Sequence, residues 1–494
     1  MKVEGLWQEL TKKIISYEEE LVASLSGLIQ IPSVRKDPVT VGDQLLPFGE
    51  EVHGALLYMK ELARKEGFSF VDVDHYGGHM DYASGKEKTL GVLLHLDVVP
   101  EGTDWDMEPY GGQVVGDRIY GRGALDDKGP TIAVFYALKA LKELGYEPKT
   151  NIRLVFGLDE ETGWSGMDYY LSRQKAPDFG FTPDAEFPAI SGEKGILVFD
   201  VAKKLSKTVG LERGLELRRL KGGHAANMVA DYARALLFHK DPKVYEKIKE
   251  QISCFSVPEK GGLRCKPSGK SLEVVAEGVS AHGARPEHGF NAISLLMEFL
   301  GQLTFAEDDV NDFIQFYNQH IGYDLHGKGL NLDVADEESG ALILNIGKAY
   351  MDGKEARITV NVRYPVTYED EEIYAILMET LTPQQMGVIK TMVQHPIYFS
   401  KEDPLIQKLM GVYGQVTGDV ESHPLVIGGG TYARAMNHFV AFGPSMPGNR
   451  EVAHQKNEYM EIPQLMTAAV IYGQAIYQLS KEEHLPAEKE EETS

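Results

Sequence analysis

Two histidines and a set of carboxylates carry the chemistry that this sequence offers. The string "LLHLDVVP" ends an apolar run with His95 and Asp97, two residues apart. In an extended strand that spacing points both side chains to one side. A carboxylate beside an imidazole orients the ring and raises its basicity when the other ring nitrogen binds a metal. "LVFGLDEETG" closes a second apolar run with Asp159, Glu160 and Glu161 in a row. "TPDAEFP" sets Asp184 and Glu186 between prolines, and "PGNREVAHQKNEYM" puts His454 in a polar loop. Between the two apolar runs lies "GRGALDDKGP", where Asp126 and Asp127 stand side by side among glycines that permit close backbone approach. Each string alone reads as a buried imidazole, a solvated acidic loop or a turn. Together they offer two imidazoles and several carboxylates, a donor mixture that suits zinc, manganese or cobalt better than calcium. Two such ions about 3.5–4 Å apart need a bridging carboxylate. An aspartate in a tight glycine-flanked turn just before a helix is well placed to bridge.

The elements that must position these groups are legible as patterns. "TLGVLLHLDVVP" and "NIRLVFGLDEETG" are almost unbroken apolar runs ending in acids, as in strands covered on both faces of a largely parallel sheet. "ALLYMKELARKEGF" reads as a helix. "GPTIAVFYALKALKELG" carries a helical stripe of Ile132, Phe135, Leu138 and Leu141 and stops at Gly145. These alternating signals predict βαβ units with helices on both sheet faces, and ligands in such folds gather beyond the carboxyl ends of the strands. Near residue 195 the texture changes. "SLEVVAEGVSAHG" and "ARITVNVRYPV" alternate apolar and polar residues, which predicts half-buried antiparallel strands, and "NAISLLMEFLGQL" reads as a helix between them. After "DPLIQKLMGVYGQVTG" the pattern is α/β again, with "HFVAFGP" a short buried strand. The expected organisation is therefore an α/β, mainly parallel-sheet domain from residues 1–194 and 396–494. An inserted α+β domain is expected at 195–395.

Composition narrows the functional classes. The chain has 494 residues, 43% hydrophobic and 25% charged, enough for more than one core. Its formal charge of −24 repels nucleic acid and anionic lipid and attracts cations. Cys254 and Cys265 form no CxxC pair and are too few for a disulfide framework, so reduced thiols and a cytoplasmic location are expected. No signal-peptide pattern and no membrane-spanning run is visible.

Six strings in order, "LLHLDVVPEGTDWDMEPY", "IYGRGALDDKGP", "GLDEETG", "TPDAEFP", "GVSAHGARPEHGFNAI" and "EVAHQKNEYM", resemble the di-metal aminoacylase, carboxypeptidase and dipeptidase family. That family includes acetylornithine deacetylase, succinyl-diaminopimelate desuccinylase, glutamate carboxypeptidase, carnosinase and the bacterial dipeptidase PepV. The resemblance implies two divalent ions per chain, Zn(II) first and Mn(II) second. It implies that His95 and Asp184 bind one ion, that Glu161 and His454 bind the other, and that Asp126 bridges them. Asp97 would hold His95, Glu160 would be the general base, and the Asp126–Asp127 peptide would be cis. His282, in the inserted domain, would act on the oxyanion. His288 has no assigned role.

The insert is roughly twice the length of the single-unit lid found in many relatives. That resembles the PepV type, in which one chain covers its own site, so a monomer is expected, with a homodimer as the second reading. By the same resemblance Asn227 and Arg363 would hold the oxyanion and the substrate's terminal carboxylate. Gly430, Thr431 and Arg434 of "GGGTYARAM" would line the same pocket. An arginine suits a carboxylate because its planar fork binds both oxygens. The expected function is hydrolysis of dipeptides. An N-acyl-amino-acid deacylase on the same scaffold is the nearest alternative. A catalytically silent metal-binding or regulatory protein would instead show a missing ligand or base, and none is missing.

Overall fold

The apolar run that ends in His95 forms the middle of a six-stranded sheet. The computed structural model describes residues 3–83, 85–206 and 214–482. In spatial order the sheet contains Phe439–Ala441, Phe179–Thr182, Thr89–His95, Asn151–Gly157, Gly78–Tyr82 and Ser69–Asp72. The first four strands are mutually parallel, and the last two add an antiparallel edge. Thr89–His95 is buried from Leu90 onward, as expected of a strand covered on both faces.

Register decides where the chemistry falls. Leu93 lies opposite Val155 and His95 opposite Gly157, so two parallel strands end side by side. The chain leaves both ends carrying acids. Thr182, which closes the neighbouring strand, donates its hydroxyl to the Leu93 carbonyl at 2.8 Å. Asp184 follows two residues later.

The helix Lys128–Glu143 is buried from Lys128 to Leu141 and packs against the terminal helix Ile462–Ser480. Leu138, Phe135, Ile471 and Ala475 join Val92 and Leu94 of the central strand in one core. Full burial of a Leu or Phe contributes about 1.5–3 kcal/mol, so this layer holds the strand ends beneath it in place.

The chain divides into two compact units: residues up to 191, 399–425 and from 430 onward form the first, and 192–398 with 426–429 form the second. The second unit is α+β. Its eight-stranded sheet is antiparallel throughout, in the order Gly262–Ser268, Ser271–Glu277, Tyr232–Phe238, Glu216–Gly222, Ile343–Met351, Glu355–Tyr364, Gly195–Lys204 and Gly387–Gln394. The helix Ala292–Leu300 packs on it, started by Asn291, whose side chain accepts from the Ile293 amide at 2.9 Å.

Two strands of this sheet depart from the expected half-buried alternation. Ser271–Glu277 is buried up to Ala276, and Glu355–Tyr364 alternates only until Val360, after which it is buried. For Ser271–Glu277 the register gives the reason. Val275 lies between Arg234 and Arg264, whose long stems cover its polar-side face. Glu273 lies between Leu236 and Lys266 and pairs with Lys266 at 3.0 Å. Among the described residues no helix is long and apolar enough to cross a membrane.

Candidate metal centre

The ends of the parallel strands in the first unit bring five predicted ligands together. His95 closes its strand, and its Nε2 lies 3.0 Å from Asp126 Oδ1 and 3.8 Å from Asp184 Oδ2. His454 Nε2 lies 2.9 Å from Asp126 Oδ2 and 3.1 Å from Glu161 Oε1. The two oxygens of Asp126 thus face different imidazoles. Around a tetrahedral ion with bonds of about 2.0–2.1 Å, ligand atoms stand roughly 3.3 Å apart. The observed separations straddle that value. Glu160 joins His95 and Asp184 in a group whose donor atoms all lie within 4.8 Å of one another.

Charge balance tests whether this donor set fits a cation. Burial opposes charge on His95, but the hydrogen bond to Asp126 and the nearby carboxylates of Asp184 and Asp97 raise its pKa well above the usual imidazole value. Partial burial likewise opposes charge on His454, whose side chain is 48% exposed, yet Asp126 and Glu161 push it up to about 11. Both imidazoles are therefore held as cations when protons are the only positive charge on offer. Even so the carboxylates remain in excess. Burial and then repulsion from Asp126 push Glu161 up to about 7 and Asp184 up to about 6. Burial and Asp184 raise Glu160 well above the carboxylate range. A buried set this acidic lacks positive charge, and divalent cations on imidazole and carboxylate donors would supply it.

The surrounding hydrogen bonds explain the placement. Asp97 lies just beyond the strand, so its relation to His95 is not that of two strand neighbours. The His95 Nδ1 meets the Asp97 main-chain oxygen at 3.0 Å, and the nearer carboxylate oxygen stands at 3.6 Å. The Asp97 carboxylate instead accepts from the Glu160 and Glu161 amides, both at 3.1 Å. Asp97 therefore ties one strand end to the next and fixes both glutamates through their backbone.

Asp126 sits in the turn that the glycines allow. Gly123 has φ +88°, where a side chain would be strained and would meet Val98 and Lys128. The Asp126–Asp127 peptide is cis. Asp127 is fully buried and accepts from the His95 amide at 3.2 Å, while Lys128 Nζ donates to the Ile31 carbonyl at 2.7 Å.

Three residues of this region carry no sequence-level assignment. Glu458 is fully buried; it accepts from Arg122 at 2.7 Å and from the Leu125 and Asp126 amides at 2.9 and 3.2 Å. It thereby fastens the His454 loop to the Asp126 turn. His454 itself has φ +60°, a left-handed conformation that these anchors must hold. Asp159, also buried, accepts from the Ser165 hydroxyl at 2.7 Å and the Gly166 amide at 3.1 Å, fixing the loop that bears Glu160 and Glu161. Tyr432 covers the Gly157 backbone and meets the His95 ring edge-on, centroids 6.3 Å apart. All three lie inside strings already singled out, but nothing in their type or spacing assigned them these roles.

Of the residues predicted to act on the substrate or its oxyanion, Gly430, Thr431 and Arg434 belong to the first unit. Thr431 caps the short turn Tyr432–Ala435, its hydroxyl accepting from the Ala433 amide at 3.2 Å, and Arg434 is half-buried in that turn. The other three belong to the second unit. His282 is exposed, in a loop bridged to Met228. The Gly283 amide donates to the Asn227 carbonyl at 2.7 Å, so Asn227 and His282 are neighbours. Arg363 is only 4% exposed, and its Nε donates to Asn361 Oδ1 at 2.9 Å. That burial excludes a solvated strand-surface arginine.

An α/β sheet with clustered imidazoles and carboxylates beyond its strand ends places a candidate metal centre where open sheets gather ligands. Comparison with known proteins agrees. The model of peptidase family M20/M25/M40 matches residues 91–478. A protein of Bacillus subtilis named "Putative dipeptidase YtjP" is 36% identical over 478 residues, covering 95% of this chain and 99% of its own. A like-named dipeptidase of Staphylococcus haemolyticus is also 36% identical, covering 97% of this chain and 100% of its own. The structure of human carnosine dipeptidase 1 superposes with a TM-score of 0.56 at 16% identity, covering 97% of this chain and 99% of that one. The di-peptidase Dug1p of Saccharomyces cerevisiae gives a TM-score of 0.56 at 14% identity, with 96% and 99% covered. The chain belongs to peptidase family M20/M25/M40.

Proposed function

We propose that this chain is a di-metal dipeptidase. The observation that carries the reading is Asp126, whose two carboxylate oxygens face His95 and His454 separately at 3.0 and 2.9 Å. In this reading His95 and Asp184 hold one divalent ion, Glu161 and His454 hold the other, and Asp126 is shared. Zn(II) is the first candidate and Mn(II) the second, since such donors accept both. Bound ions of this kind acidify water and polarise a carbonyl oxygen.

The chain's own groups then have separate tasks. Glu160 takes a proton from the attacking water and returns it to the leaving amine. Asp97 keeps Glu160 and Glu161 aimed by holding their amides. His282 and Asn227 donate to the oxyanion. Arg363 and Arg434 bind the terminal carboxylate of the substrate, with Gly430 and Thr431 lining the pocket. The names of the similar proteins support a dipeptide substrate. A monomeric, cytoplasmic enzyme completes the reading.

A panel of dipeptides set against N-acetyl and N-succinyl amino acids, with Zn(II) and Mn(II) in parallel, tests it. Turnover of dipeptides is expected. Cleavage of N-acyl amino acids without dipeptide turnover would replace this reading with a deacylase.

A further inference from the structure

A second group of metal-type donors gathers in the first unit and shares no residue with the centre above. His53 lies in the first turn of the helix Glu50–Lys65, Asp72 ends the edge strand Ser69–Asp72, and His75 sits in the turn before Gly78–Tyr82. One donor atom from each lies within 4.8 Å of the other two, and all three residues are partly buried.

The hairpin is shaped to present these groups. Asp74 and His75 both adopt left-handed backbone, at φ 50° and 65°. That conformation is uncommon for residues other than glycine, so the surrounding contacts must hold it. The Val73 amide donates to Gly77 at 2.9 Å and the Tyr76 amide to Val73 at 3.0 Å, closing the turn. Asp72 grips His75 twice, accepting from its amide at 2.9 Å and lying 3.0 Å from its ring Nδ1. The His53 ring meets the His75 ring edge-on, with centroids 4.5 Å apart. His53 Nδ1 is buried and is among the described side-chain atoms that lack a hydrogen-bond partner. A buried ring nitrogen without a partner, beside a second imidazole and a carboxylate, is a donor awaiting an acceptor of its lone pair.

We propose that His53, Asp72 and His75 bind a further divalent cation of the zinc type, which pins the helix Glu50–Lys65 to the edge hairpin. Two imidazoles and one carboxylate, with water as the fourth ligand, are a donor set that Zn(II) accepts. The ion would tie the helix to the hairpin, within which Asp72 and His75 already pair. The site stands apart from the dipeptidase reading.

The test uses the full chain loaded with Zn(II), washed with a weak chelator and freed of excess by gel filtration, with zinc counted by mass spectrometry. His53→Ala and His75→Asn are each expected to carry one zinc fewer than the parent protein. Asparagine tolerates left-handed backbone, so His75→Asn keeps the turn and gives a reading even if His53→Ala fails to fold. The same loss of one ion is expected when His53→Ala is added to Asp126→Ala, whatever that protein retains at the other centre. Dipeptide turnover should be unchanged in both single variants. Zinc content equal to the parent in His75→Asn, or an ion that the weak chelator strips from the parent, overturns the proposal.

Discussion

The Asp126 centre of the first unit and the His282 loop of the second both use histidine, in different surroundings. The His95 side chain is 1% exposed and Glu161 is 8% exposed, while His454, at the rim of the same centre, is 48% exposed. His282 and Asn227 are exposed. The first set lies at the ends of parallel strands, knotted together by Asp97, Glu458 and Asp159. The second set is a loop held by backbone bonds, Gly283 to Asn227 and Val229 to Ala281. Buried acids in excess need cations to remain ionised, whereas an exposed histidine needs none. In the proposed reading one region holds charge permanently and the other offers a donor.

Metal removal should break the comparison most strongly. Exhaustive chelation is expected to abolish turnover, with recovery on adding Zn(II) or Mn(II). Hydrogen exchange should show lost protection around residues 95–97, 121–127, 158–161 and 454–458, and little change around 279–290. Equal loss in both regions would mean that the two are not separately organised. Glu160→Ala should come next, lowering kcat by roughly 10²–10⁴-fold while metal content stays at the parent level. Near-normal dipeptide hydrolysis by that variant would remove Glu160 from the base role. His282→Ala should lower kcat by about 10²–10³-fold, the usual cost of one oxyanion donor, again with metals retained. Recovered activity on mixing the His282→Ala and Glu160→Ala proteins would show the histidine acting across a dimer, against the monomer reading. Glu458→Ala should affect turnover least while the protein stays folded. It leaves Arg122 buried and unpaired, which costs about 3–5 kcal/mol, visible in denaturant unfolding.

Much of the first region was legible because burial leaves a mark on sequence. The strands ending at His95 and Gly157 are unbroken apolar runs, and the acids begin where each run stops. The resemblance of six strings then gathered Asp126, Asp184 and His454, which lie far apart along the chain. What fastens them was not legible. Glu458 meets Arg122 across more than three hundred residues, and a lone glutamate in a polar loop carries no periodic signal. The hold of Asp97 on the next loop was not legible either, because the strand ends before it and its carboxylate accepts from the Glu160 and Glu161 amides. In the second unit, alternation suggested half-buried strands, but arginine stems from neighbouring strands cover Val275. His53, Asp72 and His75 were invisible for a related reason, since a left-handed turn brings them together and no pattern of residue types announces it.

The central claim is that Asp126 is shared by two cations, and metal content of Asp126→Ala beside Asp127→Ala tests it most directly. The account predicts that Asp126→Ala loses two ions together relative to the parent protein, while Asp127→Ala loses none. An Asp126→Ala protein that keeps its full complement of metal, or sheds a single ion, would contradict it.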